Sequence, residues 1–515
     1  MNNYPTILRI ISFRYALIAL VLLTIFSVQA TNGILFGDFW EHAALVELVM
    51  SSQSLSAHPL IHLQAAHAFL SPYTFYVAGL GQLFRASNIE ALLLAGIFNF
   101  VLFLFGLYFF CQSIYKSGAW LSSSYAILFI LFLWGSNPWG YSGFLHFDVI
   151  ASVLAYPSTF ALGVTLLSLS IKTCSSNKYP LLVYFVTYIA FAVVILCHPL
   201  TAIFFSCGLI GHLYQVPKTT LRRTILLTAS GILISTFLAI QWPYFSLIDL
   251  IAGAGNIYHP ENRSMYVDVL SRIWPTLAAL PLAAWALKDR KAQYVILTIL
   301  MLCGVYIYGG LTEKYSFGRV ISIIVILLQI LIAVGVARLE LTATRNIAAL
   351  KMILPVALFS TIIYFSFSWL ESTTTRALTV VNSIRLDRPV SNQTSYKDLL
   401  FLKDYVNNDS TVLSDLETSW IVPSIRGKVI GALHPQAFVA DQRQRFDDVN
   451  LFFDKSATTT QQLMIAEKYQ AQYLLLNKHT TTNYGELQQL FIENRVAKII
   501  YDSDHYVLLK LPLPH

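Results

Sequence analysis

The sequence predicts a polytopic α-helical membrane protein that ends in a soluble α/β domain. Three observations carry that expectation. Of 515 residues, 56% are hydrophobic and only 12% charged, about half the charged share of an average soluble domain. Apolar runs of membrane-spanning length recur through the first 370 residues. Beyond residue 395 the pattern changes: short β-rich segments alternate with helical periodicity, and acids balance bases. The first 384 residues hold 20 Lys+Arg against 12 Asp+Glu, whereas the last 131 hold 14 against 15. The excess cations sit in short loops between apolar runs, which is a membrane pattern and excludes a nucleic-acid partner.

The opening apolar run, 15–31, follows Arg9 and Arg14. It ends in Val28-Gln29-Ala30, which resembles a signal-peptidase site. The expectation is nevertheless an uncleaved anchor, because an ionisable cluster follows within eight residues and the rest of the chain is membrane-embedded. Further runs fall near 90–112, 119–135, 149–171, 180–197, 199–216, 224–241, 270–287, 292–308, 320–338 and 352–370, giving about eleven spans. Lys116, Lys172 and Lys178, then Lys218, Arg222 and Arg223, then Lys288, Arg290 and Lys291, and finally Arg338, Arg345 and Lys351 all fall on the face that holds Arg9 and Arg14. Cationic loops mark the cytoplasmic side. The expected N-terminus is therefore cytoplasmic and the tail extracytoplasmic. The segment 71–84 is apolar but short and interrupted by Gly79 and Gly81, so it reads as an interfacial or re-entrant helix. The division expected is a membrane domain over 1–370 with a first outer loop at 32–89, a Ser/Thr/Asn-rich linker at 371–395, and the α/β domain at 396–515. In that domain, strands are expected at 411–414, 428–432, 473–477, 496–501 and 506–511, with helices near 443–453, 459–470 and 485–494. The five cysteines, Cys111, Cys174, Cys197, Cys207 and Cys303, lie in or beside apolar runs with no CxxC spacing, so neither a disulfide framework nor a zinc site is indicated.

The outer loops hold the chemical variety. Asp38, Glu41 and His42, in "GDFWEH", share one face if a helix starts at Asp38. Leu45 and Val49 continue that stripe, which predicts an amphipathic helix lying along the membrane. Asp38 alone could be a helix N-cap. A carboxylate at membrane depth is costly and usually functional, for instance as a general base. His58, His62 and His67 follow; structural histidines explain them better than a metal site, since no HExxH occurs. The second outer loop offers His146 and Asp148 among Trp134, Trp139, Tyr141 and Phe144, either an interfacial belt or a stacking surface for sugars. The third holds His259, and the fourth holds Glu313, Lys314 and Arg319. Arg319 opens a span and could snorkel, or could grip a phosphate. Walker A, GxGxxG and GxSxG motifs are absent. Asp502-Ser503-Asp504 is read as a turn between strands.

This combination resembles the GT-C superfamily of membrane glycosyltransferases, which includes protein O-mannosyltransferases, aminoarabinose transferases and oligosaccharyltransferase catalytic subunits. The matching features are "GDFWEH" after the first span, "HPLIHLQAAHAFLSPYTFY" (58–76), and "LTEKYSFGR" (311–319) in a late outer loop. The resemblance implies transfer of a sugar from a polyprenyl-phosphate donor in the membrane to an extracytoplasmic glycan, lipid or protein, with inversion at the anomeric carbon. It implies Asp38 as catalytic base, Glu41 and His42 on the acceptor side, and Arg319 with Lys314 on the donor phosphate. His58, His146, Asp148, His259 and Glu313 complete the implied substrate-binding set. The acidic motif is not a paired DE or DD, and His146-Phe147-Asp148 is the nearest substitute for a second-loop DxD. A divalent metal is therefore left open, without a clear DxD to hold it. A transporter or flippase of lipid-linked glycans, and a non-catalytic envelope-assembly subunit, are the competing classes. Ionisable groups at loop edges rather than the bilayer midplane disfavour transport.

A reporter enzyme that is active only outside the cytoplasm, fused at His515, is expected to be active; activity of a cytoplasmic reporter at that position instead would overturn the topology.

Overall fold

The computed structural model describes residues 4–32, 35, 37–51, 54–175, 180–253, 260–281, 289–342, 360, 391–434, 436–481, 484–493 and 497–512. The expected span at 352–370, most of the expected linker and His259 lie outside the described residues. The chain packs as two units. One comprises Met1–Gly33, Leu93–Gln241 and Tyr258–Leu386; the other comprises Ile34–Leu92, Trp242–Ile257 and Asp387–His515. The first outer loop, grouped by sequence with the membrane domain, thus packs with the tail.

In the first unit the apolar runs are helices: α1 Tyr4–Asn32, α4 Asn88–Ile114, α5 Ala119–Phe132, α7 Pro157–Ser175, α8 Pro180–Cys197, α9 Pro199–His212 and α10 Lys218–Ile240. Helices α2 (Phe39–Met50), α3 (Pro72–Phe84) and α11 (Leu247–Gly253) belong to the second unit, as does the first turn of α4. Two further long helices are Arg290–Leu311 (α13) and Val320–Thr342 (α14). Among the described residues, five helices are long and apolar enough to cross a membrane, or six if one bent pair counts as a single span. The chain is an integral membrane protein. The bent pair overturns an expectation of one continuous span at 149–171. Helix α6 (Phe147–Val153) and α7 meet at 101°. Pro157 supplies the reason, because a proline disfavours helical backbone at the residue before it and has no N–H to continue the ladder. The 270–287 run likewise begins as a short helix, α12 (Val269–Ile273), followed by a 3₁₀ turn at Trp274–Ala278.

Helix α14 is the buried element of this unit: its whole apolar window is covered by protein. It packs on α5 and α13. Its one central polar side chain, Gln329, donates to the Leu133 carbonyl at 2.9 Å, satisfying an acceptor at the C-terminus of α5. Helices α4 and α7 cross at two glycines. A Cβ on Gly106 would stand 2.8 Å from the Gly163 carbonyl oxygen, and one on Gly163 would stand 3.0 Å from Leu102 and Phe103. Small residues at such a crossing allow backbones to approach closely within the bilayer.

The second unit is built on a five-stranded sheet: β1 Thr411–Leu413, β2 Lys428–Val429, β3 Tyr473–Asn477, β4 Lys498–Asp502 and β5 Tyr506–Lys510, in the order β2-β1-β3-β5-β4. The strands lie where the β-rich runs placed them. β1 is parallel to β2 and β3, while β5 is antiparallel to β3 and β4. Phe452, Phe491, Leu474, Leu476, Val507 and Leu509 form its buried core. The β2 edge is not left open. Ile61 of the first outer loop bridges Val429 in parallel, and the Val429 N–H donates to the Leu60 carbonyl at 2.7 Å. The loop therefore covers an edge that would otherwise offer unpaired backbone groups.

Helix α2 (Phe39–Met50) and helix α3 (Pro72–Phe84) pack together beside this sheet. At 13 residues, α3 is about 20 Å long, too short for a hydrocarbon core of about 30 Å. The amphipathic, surface-lying helix expected at Asp38 is not observed. Phe39, Trp40, Glu41, His42, Ala43, Ala44, Leu45, Val46 and Leu48 are all buried. A helix apolar on nearly every side is covered on nearly every side. Asn88 fixes it at a distance in sequence, its Nδ2 donating to the Ala43 carbonyl at 3.1 Å and the Ser424 carbonyl at 2.6 Å.

Gly106→Val is expected to destabilise the protein by about 1–3 kcal/mol, read as a lower melting temperature in detergent. Gly304→Ala, whose Cβ would meet nothing within 4 Å, is expected to leave the melting temperature unchanged.

Candidate functional site

Helix α2 begins after Gly37, whose φ of +51° turns the chain into it. Asp38 occupies the N-cap position, but its side chain makes no capping hydrogen bond. Its carboxylate reaches His434 of the tail, Oδ1 lying 3.0 Å from Nδ1. The N-cap reading therefore does not account for this residue.

One turn on, Glu41 carries the buried charge of the site. Oε1 accepts from His67 Nε2 at 3.0 Å and from Gln436 Nε2 at 2.6 Å. Oε2 makes no hydrogen bond within normal geometry among the described residues and lies 3.5 Å from His434 Nδ1. Burial alone would raise the Glu41 pKa, yet the His434 and His67 imidazoles hold it far below the usual carboxylate range. It is ionised at neutral pH. The proton on His67 follows from geometry: Nδ1 accepts the Phe69 N–H at 3.1 Å, so Nε2 is the protonated nitrogen facing Glu41. Gln436 is tethered in turn, its N–H donating to Gln442 Oε1. His434 packs its ring 5.6 Å from that of Trp420.

The two carboxylates differ in access. The Asp38 side chain is 30% exposed, that of Glu41 3%. Asp38, Glu41 and His434 each present one donor atom within 4.8 Å of the others. With a proton on Nδ1, His434 bonds Asp38. In place of that proton, a divalent cation would find two carboxylates and an imidazole, a donor set that suits Zn²⁺ or Mn²⁺. The orphaned, buried Oε2 of Glu41 fits such a cation.

The other expected residues separate into different environments. His42 is buried and stacks on Phe69 at 4.6 Å; burial pushes its pKa down to about 4, so it is neutral. His58 Nδ1 accepts from the Leu60 and Ile61 N–H groups at 3.2 and 3.1 Å, which closes a turn. Burial lowers its pKa to about 2. His58 thus closes a turn of the first outer loop. In the first unit, His146 is buried and donates from Nε2 to the Trp139 carbonyl at 3.0 Å. Trp134 and Trp139 are buried as well, and Trp139 Nε1 donates to the Ser264 carbonyl at 3.0 Å, so these rings pack the loops together rather than facing outward. Asp148 lies in the first turn of α6. Glu313 and Lys314 are exposed. Arg319 donates from Nε to Asn262 Oδ1 at 3.0 Å and sits 5.6 Å from the centre of the Tyr141 ring.

His434, Gln436 and Asn262 are assigned no role by the sequence, and His67 is read there only as a structural histidine. One signal pointed to His434. His434-Pro435 repeats the His-Pro pair found at 58–59, 198–199 and 259–260.

No family model and no curated protein sequence matches the chain. Solved structures do. The chain is similar to ArnT from Cupriavidus metallidurans in the apo state, with a TM-score of 0.55, 9% identity, and coverage of 96% of this chain and 97% of that one. The same protein bound to undecaprenyl phosphate gives 0.53 and 11%, with the same coverage. The Archaeoglobus fulgidus oligosaccharyltransferase, in complex with Zn and sulfate, gives 0.53 and 12%, covering 93% of this chain and 71% of that one. The chain shares the fold of these proteins, which is the fold that the GT-C resemblance leads one to expect.

His67→Phe keeps a ring but removes a donor from a buried carboxylate, and is expected to cost about 1–3 kcal/mol. His67→Gln, which can restore an N–H, is expected to recover part of that loss. Equal melting temperatures for the two variants would remove the hydrogen bond as the cause.

Proposed function

We propose that this protein is a membrane glycosyltransferase that moves a sugar from a polyprenyl-phosphate-linked donor to an extracytoplasmic acceptor, with inversion. One observation carries the reading: of the two carboxylates at the start of α2, Glu41 is sealed and the N-cap Asp38 is open, and both lie against His434. The sealed Glu41 fixes the geometry. The open Asp38, 30% exposed and oriented by His434, is the carboxylate that a substrate hydroxyl can reach.

In the reaction, the acceptor oxygen attacks the anomeric carbon and its proton passes to Asp38 as general base. The bond from that carbon to the phosphate oxygen breaks, and its electron pair leaves on the lipid phosphate. His434 orients Asp38 in one protonation state. If a divalent cation is held by Asp38, Glu41 and His434, it would supply positive charge at the acceptor hydroxyl and lower its pKa. The developing charge on the leaving phosphate calls for a fixed cation. Arg319 is proposed for that role from its own surroundings: Asn262 and the Tyr141 ring hold the guanidinium while engaging only Nε among the described hydrogen bonds. Its outer N–H groups suit a phosphate bidentately. The fold shared with proteins whose structures include undecaprenyl phosphate supports a lipid-linked donor.

Asp38→Asn is expected to lower turnover by about 10²–10⁴-fold, measured as polyprenyl phosphate released from labelled donor in proteoliposomes, with donor binding retained. Unchanged turnover would remove Asp38 as the base. Loss of turnover on chelation, restored by Zn²⁺ or Mn²⁺, would assign the cation reading of the Asp38–Glu41–His434 cluster; indifference to chelation would assign the imidazole reading.

A further inference from the structure

Beside the Ile61–Val429 bridge lies a cavity of about 520 Å³, lined by Ser54, His62, Leu63, Gln64, Asp409 and Lys428 among others. All its walls belong to the second unit. Its volume falls within the roughly 300–1,000 Å³ of small-molecule sites. It does not include Asp38, Glu41 or His434.

Lys428 makes this cavity unusual. It is the first residue of β2 and is only 4% exposed. Its Nζ donates to the Pro59 carbonyl at 3.0 Å, which is the one side-chain hydrogen bond it makes among the described residues. An ammonium has three N–H donors, so two are not engaged in the described hydrogen bonds, and Lys428 stands in the cavity wall. Burial pushes its pKa down to about 8, partly offset by the negative charge of Asp409. A buried, incompletely satisfied ammonium on a cavity wall has a strong demand for oxygen acceptors.

The rest of the lining limits which oxygens can answer that demand. Asp409 puts a carboxylate in the same cavity, which repels a phosphate or a multiply charged acid and accepts from hydroxyls. The Ser56 hydroxyl donates to Gln64 Oε1 at 3.2 Å, leaving the Gln64 amide N–H groups as donors. His62 is tied through Nδ1 to the Thr411 hydroxyl at 3.0 Å. Leu63, Ile61 and Ala57 add apolar surface. Fixed donors and acceptors of both kinds beside aliphatic patches match a ring that carries several hydroxyls on one edge and C–H groups on its face. A purely apolar ligand would offer nothing to the Asp409 carboxylate or to the Lys428 N–H groups beyond the one held by Pro59.

We infer that this cavity is a second, non-catalytic subsite that binds one or two neutral sugar rings of the acceptor glycan, with Lys428 and Gln64 donating to ring hydroxyls and Asp409 accepting from them. The assignment to the acceptor rests on the glycosyl-transfer reading; the binding of sugar does not. The cavity is reached along the same segment that forms part of the candidate site, since Lys428 holds Pro59, and His58 beside it sets its ring 5.0 Å from that of His67. A glycan seated there would brace the loop on which His67 holds Glu41.

The test uses the full chain in lipid nanodiscs and saturation-transfer NMR. The probes are a neutral hexose disaccharide, a neutral N-acetylhexosamine disaccharide and a hexose phosphate. At least one neutral disaccharide is expected to bind, with affinity at least tenfold weaker in Lys428→Met and in Ser54→Trp, which fills the cavity from its exposed rim. Asp38→Asn is expected to keep that binding while losing turnover, so failure of the transfer reading and failure of the subsite are read separately. No disaccharide binding, binding of the hexose phosphate alone, or binding unchanged in Ser54→Trp would overturn the subsite. If Lys428→Met does not fold, Ser54→Trp decides. A disaccharide that binds at the cavity but whose longer homologues never affect turnover would overturn its assignment to the acceptor.

Discussion

The Glu41 carboxylate is the constraint around which the second unit is arranged. It is almost fully buried, and an ionised carboxylate in that position is tolerated only when donors replace water. Those groups come from separate stretches of chain: the His67 donor from the first outer loop, and the Gln436 donor with the nearby His434 imidazole from the tail. Each stretch must therefore be in place before the charge can be sealed. Removing one donor leaves a charge whose desolvation is no longer compensated, which makes the network cooperative rather than a sum of pairs.

The sheet explains how the tail comes to supply two of those groups. Strand β2 pairs with Ile61 and Leu60 of the first loop, so the chain leaving β2 starts from a fixed position against that loop. Ala432 and Val439, which flank His434 and Gln436, pack with Ala44, Leu60 and Ile61 in one apolar cluster. Backbone pairing and apolar burial thus carry the two side chains to α2, some 395 residues away in sequence for the Gln436–Glu41 bond. The outcome has a chemical use. A sealed carboxylate that cannot move sits one turn from an open one that can be reached, and preorganised charge of this kind is what a base needs at its reacting oxygen.

The first unit follows from a different constraint. In lipid, every backbone group must be satisfied within the segment, so apolar runs become helices whatever their neighbours. Its exceptions are local and have local causes. Pro157 breaks the 149–171 run into two helices, and Gly106 and Gly163 let two helices meet at backbone distance. Arg319 has its own fixed setting there, with Asn262 and Tyr141.

The apolar runs, the β-rich segments of the tail and the ionisable cluster after the first run were legible in the sequence because each depends on short-range periodicity or composition. Asp38 and Glu41 stood out because charges beside long apolar runs are rare. The burial of α2 was not legible: Leu45 and Val49 continue the Asp38 face just as they would on a helix resting at an interface, and only the tail packed over α2 distinguishes the two. Nor was the N-cap reading of Asp38 decided until His434 claimed the carboxylate. The sequence by itself determined which segments are helices and strands and that an acidic group stands just past the first of them. Tertiary structure alone decided which of the two carboxylates is sealed, because Gln436 lies 395 residues from Glu41 and His67 lies 26 away, separations that leave no periodic trace.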